Sequence, residues 1–327
     1  MTRDANRRAF ARRALRPRVF AGLTEIDLST TLLGERVRSP IFVAPTAYHG
    51  ALHPDAEGGT ARAAAGAGLL AVFSTLSSLS LEEIARASPR GPRWFQLYLQ
   101  PDFAATRAIV GRAERAGYSA LVVTADVPVL GVRDRQAKAG FAIESSMPIG
   151  NGPDVHPPAR SPTRTATGYA LRADGAASWE ILERIGEATR LPIVVKGILS
   201  GDDAREAVRR GAKALIVSNH GGRQLDRAPA SLDALGEVVA AVGARAEVYL
   251  DGGVRRGSDV LIALASGARA VGLGRPVLWA LAAGGEAGVA RLLRLLEEEL
   301  ATALLLTGVG RISDVSGSLL ASAPGPL

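Results

Sequence analysis

The chain has 327 residues, of which 47% are hydrophobic and 37 are glycine, and it has no cysteine. That length and apolarity support a sizeable α/β core in one large or two medium domains, and the lack of cysteine excludes disulfides, thiolate chemistry and cysteine-ligated metals. The net charge of +7 comes almost wholly from scattered arginines, with lysine only at Lys138, Lys196 and Lys213; without interleaved aromatics this reads as a solvated surface and not as a nucleic-acid footprint.

No apolar run reaches the ~18 residues that a membrane span needs. The arginine-rich N-terminus (Arg3, Arg7, Arg8, Arg12, Arg13) lacks the apolar stretch of a secretory signal. A cytoplasmic protein with no membrane and no nucleic-acid partner is expected.

Eight short apolar runs follow in order, each closed by Gly, Pro, Ser or Asp. They are Ile41 to Ala44, Leu70 to Phe73, Trp94 to Leu99, Ala120 to Val123, Ile193 to Val195, Leu215 to Val217, Val248 to Leu250 and Ala270 to Leu273. Continuous apolar runs of this length suit parallel strands buried on both faces. Between them lie amphipathic stretches, Asp102 to Ala116, Asp202 to Arg210, Ser231 to Val242 and Ser258 to Ser266, each opened by Ser or Asp as a candidate N-cap. Alternating β/α units of this number predict a single (β/α)8 TIM barrel domain over 1–327. A doubly wound sheet is the alternative, but no glycine-rich phosphate loop follows the first strand. The stretch 127–177 is long and rich in Pro, Arg, Gly and Thr, as expected of an active-site lid after strand four. Ala287 to Leu306 is predicted as the closing helix.

Barrel chemistry belongs at the C-terminal strand ends. These positions carry Pro45, Thr46 and Ala47, then Ser74, Gln96 and Tyr98, then Thr124 and Asp126. The later ones carry Lys196, His220 with Arg223, Asp251, and Gly274 with Arg275. Polar groups at every strand end describe a lined cavity. The runs Asp251-Gly-Gly-Val-Arg255 and Gly272-Leu-Gly-Arg275-Pro place glycines and two arginines after strands seven and eight, the usual phosphate site of a barrel. The plainer alternative is that the glycines only form turns. Lys196 ends an apolar strand, where a lysine is costly unless it meets an anion or a polarised oxygen. It is either a Schiff-base lysine or a cation beside a cofactor that gains negative charge.

The most specific run is Ser218-Asn-His-Gly-Gly-Arg-Gln-Leu-Asp226, directly after a buried strand. His220 and Arg223 put a base beside a fixed cation, which suits proton abstraction from an anionic substrate. A histidine that merely caps the turn is the competing reading. Asp126 could orient His220 and stabilise its imidazolium.

With Ala44 to Ala47, Phe95 to Tyr98, Lys196-Gly197 and Asp251 to Gly257 in order around that run, the chain resembles the FMN-dependent α-hydroxy-acid oxidase and dehydrogenase family over nearly its whole length. The resemblance implies FMN as cofactor and oxidation of an (S)-2-hydroxy acid, with oxygen or another acceptor reoxidising the flavin, in a homo-oligomer, commonly a tetramer. It implies His220 as base with Asp126 behind it, Arg223 and Arg133 on the substrate carboxylate, and Tyr98 on the substrate oxygens. Lys196 would face the flavin N1 and C2 carbonyl. Pro45, Thr46, Ala47, Ser74, Gln96 and Thr124 would line the isoalloxazine, with Ser218 among the cofactor residues. Asp251 would meet the ribityl chain, and Gly253, Arg255, Gly274 and Arg275 the phosphate end.

Two departures qualify the resemblance. Family members carry a further N-terminal segment with a carboxylate-binding tyrosine; the sequence here starts just before Asn6 to Phe10 of the shared pattern, so either the start lies upstream or carboxylate binding is altered. Leu76 stands where small-substrate oxidases have tryptophan, which leaves room for a larger acid. Thr75 to Ala85 and Ala47-Tyr48-His49 look most like the mandelate and 4-hydroxymandelate oxidase branch, with His49 and His53 structural or on the surface. The rival functions are a non-redox FMN isomerase and a flavin-binding protein with little turnover.

Overall fold

All eight apolar runs form parallel strands, and in a computed structural model of the chain these close into one barrel in sequential order. The structure describes residues 1–134, 138–140, 147–172 and 177–321. The barrel strands are β1 Ile41–Val43, β2 Leu70–Ser74, β3 Arg93–Leu97, β4 Leu121–Thr124, β5 Ile193–Ile198, β6 Ala214–Val217, β7 Glu247–Asp251 and β8 Ala270–Leu273. The expected barrel, and not the doubly wound sheet, is therefore the fold.

Alternation along the strands explains why they read as unbroken apolar runs. Phe42, Val72, Trp94, Val122, Val194, Ile216 and Tyr249 pack together inside the barrel. Their neighbours Ile41, Val43, Ala71, Phe73, Phe95, Val195 and Leu215 pack outward against the helices. The interior is filled by large rings, with Tyr249 edge-on to Phe42 at 6.0 Å and tilted to Trp94 at 5.7 Å. Gly272 makes space for them, since a Cβ there would lie 2.7 Å from the Phe42 ring.

An N-terminal helix, α1 Thr2–Ala11, precedes the barrel, and the strands are followed in turn by α2 Ala56–Gly66, α3 Leu81–Ala87, α4 Phe103–Arg115, α5 Glu180–Ala188, α6 Gly201–Arg209, α7 Ser231–Val242, α8 Gly257–Ala265 and α9 Arg275–Thr307. Asp102 caps α4 as expected, its side chain accepting from Ala104 N. Three other starts differ. Ser200, not Asp202, caps α6, because the extended backbone that a cap needs lies at Ser200. Ala230 precedes α7, and the Ser231 N–H is taken by Asn6 Oδ1 instead. At α8 the Asp259 carboxylate reaches back to the N–H groups of Arg255 and Arg256, so Ser258 is not the cap. The expected closing helix is the second half of α9. Gly284 and Gly285 interrupt the helix, and the buried stripe Val289, Leu293, Leu296, Leu300 and Leu304 repeats every three to four residues beyond the break.

The stretch between β4 and α5 lies partly outside the described residues. Its described part carries a small antiparallel pair, Thr163–Arg164 with Tyr169–Ala170. Among the described residues, no helix is long and apolar enough to cross a membrane.

Candidate active site

A bulge in β5 builds the floor of the site. Lys196 pairs with Thr124 on β4 and Ile216 on β6, after which the register with β6 slips. The slip falls at Gly197, at φ 107°, where a Cβ would stand 2.6 Å from the Asp126 Cβ. Glycine thus lets β5 press against the end of β4, and Ala125 N–H donates to Lys196 O at 2.8 Å. Lys196 is buried, with Nζ 3.3 Å from Asp251 Oδ2 and donating to Ser218 Oγ at 3.0 Å. Burial pushes the ammonium down, but Asp251 and Asp126 outweigh it and hold Lys196 above its ordinary value. A lysine held charged by a carboxylate at 3.3 Å is a poor neutral amine nucleophile, which favours the cation reading over the Schiff base.

The Ser218 hydroxyl is fully used. It accepts from Lys196 Nζ and from His220 N–H, both at 3.0 Å, and donates to Asp251 Oδ1 at 2.5 Å. It therefore ties Lys196, Asp251 and the histidine loop together. His220 has φ 57°, a left-handed conformation that costs a non-glycine residue about 1–3 kcal/mol and persists only where the surroundings impose it. Here both the backbone N–H and the ring are held, with Nδ1 3.1 Å from Asp126 Oδ1.

Burial and then the Lys196 charge push the His220 imidazole down, against the pull of Asp126. Burial also pushes the Asp126 carboxyl up, but His220 and Lys196 outweigh this and keep it below the usual carboxylate range. The pair at rest is a neutral imidazole beside a carboxylate. A carboxylate only accepts, so the ring proton sits on Nδ1 and Nε2 is left as the base.

Arg223 and Arg133 line the cavity above this pair, and Tyr98 joins them. Arg223 is exposed on the cavity wall, yet lost solvation and then Arg133 push it down to about 10, so it stays charged at neutral pH. The Arg133 Nε is buried with no hydrogen-bond partner. Burial raises the Tyr98 hydroxyl, which is a neutral donor here. At the opposite end, Arg255 and Arg275 converge. Burial lowers both; Arg275 and Arg7 push Arg255 down further, and Arg3 does the same to Arg275. Arg275 donates to Gly221 O at 2.8 Å and Arg255 to Val254 O at 2.6 Å, and neither has a carboxylate ion-pair partner among the described residues.

These groups share one cavity of about 580 Å³, within the usual range for ligand sites. Of the residues singled out in the sequence, Pro45, Thr46, Ala47, Ser74, Tyr98, Arg133, Lys196, His220, Arg223, Asp251, Gly253, Arg255, Gly274 and Arg275 line it. Asp126, Gln96, Thr124 and Ser218 stand behind the wall. Gln96 takes the Ser74 hydroxyl at 3.0 Å and donates to Thr124 Oγ1 at 2.9 Å, fixing the Ser74 side chain from below. The turn-former reading of the glycines holds in part: a Cβ on Gly253 would collide with the Asn6 carbonyl of α1, and one on Gly252 would crowd the Asn6 amide. His49 is buried against Thr46 Oγ1 at 2.7 Å and Thr60 Oγ1 at 3.1 Å, while His53 is partly exposed beside Asp55.

A family model described as FMN-dependent dehydrogenase matches residues 1–322. The chain belongs to the FMN-dependent dehydrogenase family. It is 46% identical to an L-lactate oxidase of Nostoc, over 98% of this chain and 90% of that protein. It is 44% identical to glycolate oxidase 1 of Oryza sativa, over 96% and 86%. A crystal structure of mandelate oxidase with (S)-2-phenylpropionate superposes with a TM-score of 0.88 at 42% identity, over all of this chain and 90% of that one.

The cavity of this FMN-dependent family member fits its cofactor. Two guanidiniums that repel one another, neither with a carboxylate partner among the described residues, suit an anion between them, and a phosphate on Arg255 and Arg275 would supply it. Lys196, paired with Asp251, lines the same cavity at its floor.

Several contributors escaped the sequence reading. Leu130, Ala139 and Pro157, from the long β4 stretch, line the cavity, as do Leu52 and Leu278. No periodicity marks the loop residues among them, and Leu278 stands in the first turn of α9. The reciprocal amide pair of Asn6 and Asn219, 2.8 Å each way, anchors α1 to the histidine loop across 213 positions. Asn219 stood in the signature run, but nothing local pointed to Asn6.

Proposed function

We propose that this FMN-dependent 2-hydroxy-acid oxidase acts on an aryl (S)-2-hydroxy acid of the mandelate type, with oxygen as electron acceptor. The observation that carries the reading is the His220–Asp126 pair facing a cavity that also holds Arg223, Arg133 and Tyr98. Arg223 and Arg133 take the substrate carboxylate, and Tyr98 donates to a substrate oxygen. His220 Nε2 receives the substrate proton; Asp126 then faces an imidazolium and stabilises it. FMN, when bound, accepts the electrons that leave the substrate carbon. Lys196 would supply a positive charge to a flavin ring that gains a negative one on reduction. Pro45, Thr46, Ala47 and Ser74 would line the ring, with Gln96 and Thr124 supporting Ser74 and Ser218 supporting Lys196. Asp251 would meet the ribityl chain, and Gly253, Arg255, Gly274 and Arg275 would hold the phosphate end. The stretch after β4 serves as the lid, a reading supported by Leu130, Arg133, Ala139 and Pro157 along the cavity wall.

Leu76 supports the aryl preference. It is buried in the cavity wall, and a leucine leaves volume there that an indole would fill. A second reading, a small aliphatic acid such as lactate, is favoured by the 46% identity to an L-lactate oxidase. Comparing kcat/KM for (S)-mandelate, (S)-lactate and glycolate separates the two. Mandelate should lead; a clear lead for lactate or glycolate replaces the first reading by the second.

A further inference from the structure

Gln224 lies one residue beyond Arg223 and belongs to none of the roles above. Its side-chain Nε2 donates to Asp126 O and to Val129 O, both at 2.8 Å, and its Oε1 accepts from Gly131 N–H at 3.0 Å. Two carbonyls and one N–H leave a single orientation for the amide. The partners lie 93 to 98 positions away, on the stretch that leaves β4 and reaches Arg133 two residues later. The backbones also touch: a Cβ on Gly131 would stand 2.5 Å from Arg223 O and 2.6 Å from Gln224 Cα.

Like charges have to be held where Arg133 and Arg223 share a cavity, because before substrate arrives their repulsion pushes the two segments apart. We propose that Gln224 is a positioning residue that clamps the Arg133 segment against the Arg223 loop and so presets the two-arginine site for the substrate carboxylate. The proposal rests on the reading that these two arginines bind that carboxylate. Leu130 N–H to Ala159 O, at 2.8 Å, is a further tie on the same segment, but its partner is not on the Arg223 loop. Asp126 O is itself one of the clamp's partners, but the Asp126 end is also held by its close approach to Gly197, by the neighbouring bond from Ala125 N–H to Lys196 O and by its contact with the His220 ring. Losing the clamp should therefore release the segment 129–133 and leave the His220–Asp126 pair in place. Affinity should fall and the proton-transfer step should not.

The test is Gln224→Met, which keeps the length and removes all three bonds. Anaerobic rapid mixing of the FMN-loaded protein with (S)-mandelate and with (S)-lactate gives a dissociation constant and a limiting rate of flavin reduction. The expected result is a dissociation constant raised ~10-fold or more, on the scale of one or two net hydrogen bonds, with a far smaller change in limiting rate. Arg133→Ala should also weaken binding, and adding Gln224→Met to it should weaken binding little further, because the clamp acts through Arg133. Additive losses, or a fall in limiting rate at unchanged affinity, would overturn the proposal. If Arg133→Ala binds normally, the carboxylate reading fails and takes the proposal with it; if only Gln224→Met binds normally, the proposal alone fails. Should Gln224→Met not retain FMN, Gly131→Ala decides, since it forces the two backbones apart with Gln224 intact. It should show the same affinity loss, and normal affinity there would equally overturn the clamp.

Discussion

His220 Nδ1 stands 3.1 Å from Asp126 Oδ1, although 94 positions separate the two residues. Strands β6 and β4 bring them together across β5, and the Gly197 bulge sets the Asp126 side of the contact. The imidazole is neutral and the carboxylate charged, so the ring proton points at Asp126 and the free nitrogen at the cavity.

Asp126→Asn keeps the shape and removes the charge that stabilises the protonated ring. FMN binding should be retained, while the limiting rate of flavin reduction should fall by ~100-fold or more, within the span of general-base contributions. Anaerobic rapid mixing measures both; a near-normal rate would show that Asp126 does not support the base.

The base works only when neutral, so kcat/KM should be flat at neutral pH and fall on the acid side as His220 protonates. Because burial and Lys196 lower the group, that limb should lie below the 6.5 of an ordinary imidazole. Asp126 pulls the other way, so Asp126→Asn should move the limb further down. A limb above 6.5, or an upward shift in the variant, would contradict the assignment.

Leu76→Trp fills the cavity wall where the aryl group is placed. The ratio of kcat/KM for (S)-mandelate to that for glycolate should drop by roughly 10-fold or more, the scale on which pocket shape discriminates. An unchanged ratio would remove Leu76 from specificity.

Arg255→Ala and Arg275→Ala each delete one of the two cations that have no carboxylate partner among the described residues at the phosphate end. Each should weaken FMN binding by roughly 10- to 100-fold, the worth of one hydrogen bond to a charged group. Quenching of flavin fluorescence on titration measures this. Arg275→Ala should also slow reduction, because its side chain holds Gly221 O of the histidine loop.

The barrel was legible in the sequence because strands buried on both faces, such as Ile193 to Val195, read as apolar runs of the right length and spacing. Lys196, His220 and Arg223 were legible because a charge at the end of such a run has nowhere to go but the cavity mouth. What escaped depends on contacts between distant segments. The bulge at Gly197 exists because Asp126 approaches it, and the Gln224 clamp exists because Gly131 does. Neither partner is within 70 positions of the other, so no local pattern reports the pairing. The helix starts after Ser200 and Arg256 were misplaced for a smaller reason: several Ser and Asp residues stand near each start, and backbone conformation selects the cap.

The central claim is that His220 removes the substrate proton, and the direct measurement is anaerobic flavin reduction by His220→Asn. The variant should purify with FMN bound and show a limiting reduction rate at least ~100-fold below the parent, with little change in substrate affinity. Reduction at close to the parent rate would contradict the account, because no other neutral base in the described cavity stands beside an ionised carboxylate.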